Sequence, residues 1–358
     1  MLREILWFIS ASLYLGQEVF SMSGLLGLAR SFDESVTKSF DDFEKKFGKH
    51  YSSPAEFDYR LKVFSENLRK LDEVEGKQRK VVGINKFSDE TWDEFSSKHL
   101  MKSKRFGEEG LIPLEDLVEL SNEELEKKIR GRMLKPTSND SVKVKRKISW
   151  RQFASRPIDQ KDCSACWAFT ATGAVEIVLA RGSKPGGKTS LSSQHLIDCV
   201  SPDFNCEGGN PVTALQFLKQ IGAYPETVYP YAELKGRCRA PQGRIRPAFE
   251  FRRLKPTVAN LLKALQLGPV TGVHVGNVTL KNYVGGIMKD SDCSGDFNHS
   301  AVIVGYDLTA NPPFFEFKNS WGEDFGDKGF YKMAIGSFKD SWKGYCRLLD
   351  HNFMAVVF

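Results

Sequence analysis

The residues with the clearest chemical potential are a cysteine, a histidine and an asparagine in the second half of the chain. Cys166 opens an apolar stretch that predicts a buried helix, His299 follows 133 residues later, and Asn319 lies 20 residues beyond His299. A thiol is a weak nucleophile until it ionises, and the positive end of a helix dipole favours the thiolate. A histidine brought next to such a thiol would hold its proton, so this pattern indicates nucleophilic catalysis by cysteine.

Each of these residues also has a structural interpretation when it is considered alone. Cys166 could be an inert buried thiol, Asn319 a turn residue and Trp321 a core residue. The same applies to the other histidines, which alone would be solvated or would sit in the core: His50, His99, His195, His274 and His351.

The distribution of cysteines separates two parts of the chain. All seven lie beyond residue 160. Either they are reduced and buried in a cytosolic protein, or they form disulfides in an oxidising compartment and leave one thiol unpaired. The apolar run at 5–16, followed by small residues at Ser21 and Ser23, favours the second alternative because it predicts a signal peptide over residues 1–23.

Composition excludes several classes of protein. The chain has 358 residues, 41% of them hydrophobic and 27% charged, which predicts two or three folded units and excludes a disordered or collagen-like chain. No apolar run of 18 residues is present, so a membrane span is not expected. The net charge of +6 is spread over the whole chain, and we expect no nucleic-acid surface.

The periodicity of apolar residues predicts helices first and strands later. Two amphipathic helices are expected in 34–75, a short strand and a turn capped by Ser88 or Asp89 in 81–90, and a short helix from Ser121. After a basic run at 143–147, helices are predicted at 166–182 and 191–200. Strand-like segments follow after residue 265, which indicates a helical lobe packed on a sheet lobe.

A set of ordered motifs resembles a known family. QxxCxxCWAF, SSQHLIDC, CEGG, YPY, GPV, NHSAVIVGY and KNSWG occur in this order. From about residue 40 onward, the chain resembles a cathepsin L-like precursor of the papain family of cysteine proteases. Two propeptide motifs add to the resemblance, with Glu75 standing where the first usually ends in Asn; their residues are Glu56, Arg60, Phe64, Asn67 and Leu71, then Gly83, Asn85, Phe87 and Asp89.

The resemblance implies a role for each catalytic residue. Cys166 would be the nucleophile, and His299 would carry its proton. Asn319 would orient the imidazole, and Trp321 would shield that contact from water. Gln160 would stabilise the oxyanion together with the backbone N–H of Cys166. The implied reaction is hydrolysis of a peptide bond through a thioester.

The resemblance also implies how the other cysteines pair. The family pattern pairs Cys163 with Cys206, Cys199 with Cys238 and Cys293 with Cys346, which leaves Cys166 free. Glycosylation sequons begin at Asn139 and Asn277; a third, at Asn298, lies in the catalytic segment and is not expected to be modified.

The substrate cleft is expected from matching motif positions. An apolar residue is expected at the second subsite, and His351 at the floor of that pocket is expected to make specificity depend on pH. Ser164 and Lys161 stand where the family usually has Gly, and Asn298 where it commonly has Asp. The residues assigned to substrate binding are Ser164, Gly208, Gly209, Pro211, Val273, Asn298, Ser300, Trp321 and His351.

The expected organisation is that of a zymogen with an α+β, papain-like two-lobe fold. It has a helical left lobe, an antiparallel sheet or barrel as the right lobe, and a cleft between them. The expected parts are a signal peptide (1–23), a helical inhibitory propeptide (34–100), an extended linker with the activation cleavage site (101–146) and a peptidase domain (147–358).

The expected setting is the secretory pathway, in an acidic lysosome-like vesicle or outside the cell. We expect a monomer acting on protein or peptide substrates, inhibited by its own propeptide and by cystatin-like proteins, with no cofactor, metal, nucleic acid or membrane span. The alternatives are a catalytically silent binding protein and an exopeptidase or transpeptidase. Zinc binding is a weaker one, since Cys163 and Cys166 lack a second ligand pair at zinc spacing.

Overall fold

The computed structural model describes residues 34–73, 80–102, 145–182, 188–200, 205–289, 293–336, 343–350 and 353–357. The chain divides into two compact units, one ending at Glu66 and the other beginning at Asn67. Several sequence predictions lie outside the described residues: the signal peptide, the helix from Ser121, Glu75, Asn139, His351 and most of the 101–146 linker.

The first unit contains the two predicted amphipathic helices, α1 (Glu34–Phe47) and the first part of α2 (Pro54–Asp72). Phe64 is fully buried on α2, and its ring centroid lies 5.2 Å from Phe40 and 5.1 Å from Phe43 on α1. Burying an aromatic side chain of this kind stabilises a fold by about 1.5–3 kcal/mol. Phenylalanines spaced three or four residues apart therefore hold the two helices together.

Helix α3 (Trp92–His99) was not predicted from the sequence. Thr91 is its N-cap in a capping box with Glu94, so each side chain accepts a hydrogen bond from the other residue's backbone N–H. The expected turn lies just before it: the Ser88 backbone N–H donates to the Asn85 carbonyl, and Ser88 Oγ accepts from the Asn85 backbone N–H, both at 3.0 Å. The short strand expected before it is a single bridge between Val82 and Tyr283.

The left lobe is built from helices. The predicted helices are confirmed as α4 (Cys166–Gly182) and α5 (Ser193–Cys199); α6 (Pro211–Gln220), which was not predicted, starts with Asn210 as its cap and a proline in its first turn. Helix α4 is buried along most of its length, which explains why its apolar residues show no one-sided pattern. Disulfides Cys163–Cys206 and Cys199–Cys238 join the loops around these helices.

The right lobe is an antiparallel sheet. Its described strands are β1 (Lys147–Ser149), β2 (Glu250–Leu254), β3 (Val270–His274), β4 (His299–Asp307), β5 (Phe314–Lys318), β6 (Phe330–Ala334) and β7 (Phe353–Val357). Their order in the sheet is β2-β7-β3-β4-β5-β6, and β1 pairs with β4. The expectation of a barrel is corrected: among the described strands, β2 and β6 remain the two ends of an open sheet. Two further helices, α7 (Val258–Leu267) and α8 (Val278–Lys281), belong to this half of the chain.

The pairing of β4 with β5 positions two of the expected catalytic residues. His299 is the first residue of β4, and Asn319 follows the last residue of β5. Because the strands run antiparallel with Val302 opposite Lys318, the start of β4 lies beside the end of β5. The third disulfide, Cys293–Cys346, lies in this lobe. None of the described helices is long and apolar enough to cross a bilayer.

Candidate active site

Cys166, His299 and Asn319 meet where α4 faces the sheet. His299 Nε2 donates to Asn319 Oδ1 at 2.9 Å, and the Trp321 indole packs on the imidazole with centroids 4.7 Å apart. The Cys166 thiol faces the backbone N–H of Ser300, the residue next to His299. Among the described residues, His299 Nδ1 has no hydrogen-bond partner. The hydrogen bond to Asn319 therefore uses Nε2 and leaves Nδ1 available.

Burial shifts both groups of this pair towards their uncharged forms. It raises the pKa of the Cys166 thiol to about 12, although the backbone amides of Ser300, Trp167 and Cys166 pull in the opposite direction. Burial, helped by neighbouring His274, also drives the pKa of His299 well below its ordinary value, against the hydrogen bond to Asn319. In this covered site desolvation therefore opposes the helix dipole, which favours the thiolate.

The Gln160 side chain is held by a residue that the sequence analysis missed. Ser320 Oγ donates to Gln160 Oε1 at 2.6 Å, so the carboxamide can present only its Nε2 donors to the cleft. Nε2 donates to the carbonyl oxygens of Cys163, at 2.9 Å, and of His99, at 3.1 Å. Ser320 lies inside the KNSWG motif, so its position next to Asn319 was a signal that could have identified it.

Lys161 adopts a backbone conformation that explains why glycine is usual there. Its φ is +53°, in the left-handed region that side chains disfavour. The strained turn is supported by Asp159, whose carboxylate accepts from the Lys161 backbone N–H at 3.0 Å and pairs with its ammonium at 3.3 Å. The Lys161 carbonyl in turn accepts a hydrogen bond from His99 Nδ1.

Residues Lys98–Lys102, which we call the cleft segment, lie against the expected substrate-binding residues. Ser164 Oγ donates to the Lys98 carbonyl at 3.1 Å. The backbone N–H of Met101 donates to the Asn298 carbonyl at 2.7 Å, and that of Lys102 to the Glu207 carbonyl at 2.8 Å. Both walls of the cleft are therefore bonded to the chain's own N-terminal region.

The second propeptide motif contacts residues 281–284 of the peptidase. Asn85 Nδ2 donates to the carbonyls of Lys281, at 2.7 Å, and Tyr283, at 3.3 Å. A Cβ on Gly83 would lie 3.2 Å from the Val284 side chain, so glycine permits this close approach. Phe87 packs edge-on against the Trp321 indole with centroids 5.5 Å apart. The motif thus covers the aromatic residue that shields His299.

Lys86 bonds to the loop that precedes Cys166. Its ammonium contacts Asp159 Oδ2 at 2.5 Å, the Trp321 carbonyl at 2.8 Å and Asp324 Oδ1 at 3.3 Å. Burial alone would raise the pKa of Asp159, but Lys86 and Lys161 outweigh burial and hold it below its ordinary value. The Asp159 carboxylate is therefore ionised wherever Lys86 can bind it.

The structure places some of the expected substrate residues on the cleft and others behind it. A Cβ added to Gly208 would lie 3.2 Å from Met101 Cβ, and one added to Gly209 would lie 2.4 Å from the Trp167 ring, so no larger residue fits at 209. The side chain of Ser300 is fully buried and bonds to Thr170 Oγ1 and the Gly272 carbonyl.

Three more expected sites have defined positions. Val273 is 4% exposed, and Pro211 is buried in the first turn of α6. Asn277 caps α8 through its Oδ1, and its Nδ2 lies 3.2 Å from Cys293 Sγ. Glycosylation of Asn277 stays a prediction.

Comparison with known proteins identifies the family. Residues 144–355 match a family described as papain family cysteine protease, and residues 40–95 match the cathepsin propeptide inhibitor domain (I29). A cathepsin L-like proteinase of Phaedon cochleariae is 30% identical over 306 residues, which cover 82% of this chain and 86% of that protein.

Solved structures give the same result. A digestive procathepsin L 3 of Tenebrio molitor is 25% identical with a TM-score of 0.69, covering 92% of this chain and all of that one. A Carica candamarcensis cysteine protease in complex with E-64 is 28% identical with a TM-score of 0.53, covering 60% of this chain and 99% of that one. The chain belongs to the papain family of cysteine proteases, as a precursor with its own inhibitor domain, and is a cysteine endopeptidase.

Proposed function

We propose that Cys166 is the nucleophile, His299 its proton partner, Asn319 the residue that orients the imidazole and Gln160 the oxyanion donor. The observation that carries this proposal is the hydrogen bond from Gln160 Nε2 to the His99 carbonyl. The His99 carbonyl, which belongs to the chain's own N-terminal region, accepts the hydrogen bond from Gln160 Nε2 that a substrate oxyanion would need. The site is therefore assembled and blocked in the same molecule.

The reaction follows from these positions. Once the cleft is uncovered, His299 takes the proton of the Cys166 thiol, and the resulting thiolate attacks the carbonyl carbon of a peptide bond. The oxyanion that forms accepts hydrogen bonds from Gln160 Nε2 and the Cys166 backbone N–H. His299 gives its proton to the departing amine nitrogen, which leaves a thioester on Cys166. Water then attacks the thioester while His299 takes its proton, and the acid product and free thiol are released.

Acid is proposed to release the N-terminal region. Lys281 is 2% exposed, and burial lowers its pKa to about 8 even though Glu90 and Asp89 favour its charged form. Carboxylates that stabilise a folded contact lose that contribution when they are protonated, so acid would weaken the contact between the inhibitory motif and the peptidase and open the cleft.

An apolar residue is proposed for the second subsite. Met101 is 4% exposed, and a Cβ added to Gly208, one of the residues assigned to substrate binding, would lie 3.2 Å from Met101 Cβ. If the cleft segment crosses the site in the direction opposite to substrate, as it does in the family, Met101 fills the position of the second substrate residue before the cut. Leu, Val, Met or Phe would gain most from burial there.

The proposed setting is a secretory-pathway compartment, either an acidic vesicle or the extracellular space. Three disulfides require an oxidising compartment to form and persist. The proposed partners are protein substrates and cystatin-like inhibitors.

The test is acid incubation of the purified precursor at about pH 4.5–5.5 with a reductant, because carboxylates titrate near this range. Mass spectrometry follows the chain, a fluorogenic Leu-Arg peptide reports activity, and the matched control is Cys166→Ala. We expect a fragment that starts near residues 144–148 to appear together with activity, and the variant to show neither. Continued inactivity after complete removal of the N-terminal region would favour a silent binding protein instead.

A further inference from the structure

One short segment of the peptidase has a larger net positive charge than the whole chain. Residues 235–255 contain six arginines, two lysines and a single acid, Glu250, for a net charge of +7. The whole chain has a net charge of +6, so all other residues together carry −1. The expectation that the positive charge is dispersed is therefore wrong.

Four arginines of this segment are held around one pair of tyrosines. We call Arg237, Arg239, Arg244 and Arg246 the basic surface; all four are exposed. The Arg239 guanidinium lies 4.4 Å from the centre of the Tyr229 ring, and that of Arg244 lies 5.9 Å from the Tyr224 ring. The two tyrosine rings are themselves 5.8 Å apart.

Backbone hydrogen bonds bring the other two arginines to the same place. Ile245 forms a two-way bridge with Ala223, so Arg244 and Arg246, on either side of it, point the same way. Arg246 Nη1 donates to the Gln220 carbonyl, and the Arg237 carbonyl accepts from the Tyr229 hydroxyl. The four arginines thus lie on one part of the left lobe, and the guanidinium groups of Arg239, Arg244 and Arg246 each contact it.

A surface of this kind is suited to a polymer of sulfate groups. Guanidinium groups bind sulfate and phosphate in a planar, two-pronged geometry, and stacking on an aromatic ring reduces the entropy lost on binding. Tyr224 and Tyr229 are at most 1% exposed, so their rings cannot stack with nucleic-acid bases. The disulfides require an oxidising compartment, whereas anionic phospholipids are concentrated on the cytoplasmic leaflet.

We propose that the basic surface binds a linear sulfated polysaccharide. Binding would use released counterions as its main driving force, as other polyanions do. The catalytic residues Cys166, His299, Asn319 and Gln160 are not part of this surface. The bound polymer would therefore hold the protease on a matrix or granule glycan and leave its peptide-bond chemistry unchanged.

The test measures binding of the full chain to heparin at several NaCl concentrations. One variant replaces the four arginines of the basic surface with Gln. A matched control removes the same number of positive charges from exposed positions elsewhere, through Gln substitutions at Arg156, Lys289, Lys328 and Lys343. Peptide cleavage after activation, which these positions do not serve, reports correct folding of both variants.

We expect heparin to bind the wild type and the control, and the basic-surface variant to bind at least about tenfold more weakly at 0.15 M NaCl. The slope of log affinity against log salt should fall by about one for each arginine that contacts a sulfate. Equal weakening of both variants would overturn the proposal, because net charge alone would then explain binding. Tighter binding to single-stranded DNA or to phosphatidylserine vesicles than to heparin at the same salt would also overturn it.

Discussion

Replacing Lys86 with Met should raise the fraction of precursor molecules whose cleft is open, without any acid treatment. Lys86 is 12% exposed, and its ammonium joins the inhibitory motif to Asp159, Asp324 and the carbonyl of Trp321. Methionine keeps most of the aliphatic length and removes the charge. The Asp159 carboxylate, 20% exposed, would lose its nearest cation while the cleft stays covered.

The size of this increase depends on the interactions that Asp159 retains when Lys86 is replaced. Hydrogen bonds between charged groups contribute about 1.5–3 kcal/mol each, and leaving a buried charge unpaired costs about 3–5 kcal/mol. Asp159 still accepts from the Lys161 backbone N–H and pairs with the Lys161 ammonium, so the full penalty does not apply. We expect a loss of about 2 kcal/mol, which raises the open fraction of the precursor roughly 30-fold.

The assay is the rate at which an epoxide inhibitor labels Cys166 in the intact precursor. Labelling needs an open cleft, so its rate reports the open fraction before any processing. Lys98→Met is the matched control, because Lys98 also pairs with an aspartate, Asp162, but at 3.4 Å and with side chains 34% and 65% exposed. An exposed pair contributes at most about 1 kcal/mol, so this control should change the rate less than about fivefold.

The pH dependence provides a second check. The pKa of Asp159 in the folded protein lies below its ordinary 3.8. A carboxylate with a lowered pKa stabilises the fold above its unfolded pKa, and this contribution is lost as pH falls through the folded value. The difference between Lys86→Met and wild type should therefore stay constant from pH 7 to about pH 6, above the range in which acid is proposed to open the wild-type cleft. Equal labelling rates for the two lysine variants, or a difference that disappears by about pH 6, would refute the reasoning.

Three further variants test other contacts. The Glu207 carboxylate binds Lys102 at 2.9 Å, so the wild type should prefer lysine three residues before the cut by up to about fivefold. Glu207→Gln should abolish this preference, measured as kcat/KM on paired peptides. Lys318→Met should lower the free energy of unfolding in urea by about 3–5 kcal/mol, because buried Glu176 loses its cation. Ser320→Ala should lower kcat about tenfold with little change in KM, because the Gln160 carboxamide can then flip and exchange the positions of its Oε1 and Nε2.

The spacing of apolar residues along the sequence predicted most of the helices and strands in which that spacing is regular. The phenylalanine spacing of α1 and α2, the apolar run of α4 and the strand-like segments at β3 to β7 all correspond to elements of the structure. Strands β1 and β2 were missed because each is short and shows its identity only through pairing, with β4 and β7 respectively. Four helices, α3, α6, α7 and α8, were missed as well. Their caps are visible in the sequence: Thr91, Asn210, Thr257 and Asn277.

The chemistry of the site was present in the sequence because it depends on residue types and order. Cys166, His299, Asn319 and Gln160 were proposed as the site from motifs and family resemblance alone; the three cysteine pairs, implied by the same resemblance, are present as disulfides. These features are local or repeated across the family, so they survive as motifs.

Only the tertiary structure decided how deeply the site is buried and what covers it. Burial raises the pKa of the Cys166 thiol and lowers that of His299, and sequence spacing does not report burial. The contacts of His99 with Gln160 and of Lys86 with Asp159 join residues 61 and 73 positions apart. Such pairings depend on how separate elements pack, so the sequence determined which groups can react, and the fold determined that they are held inactive.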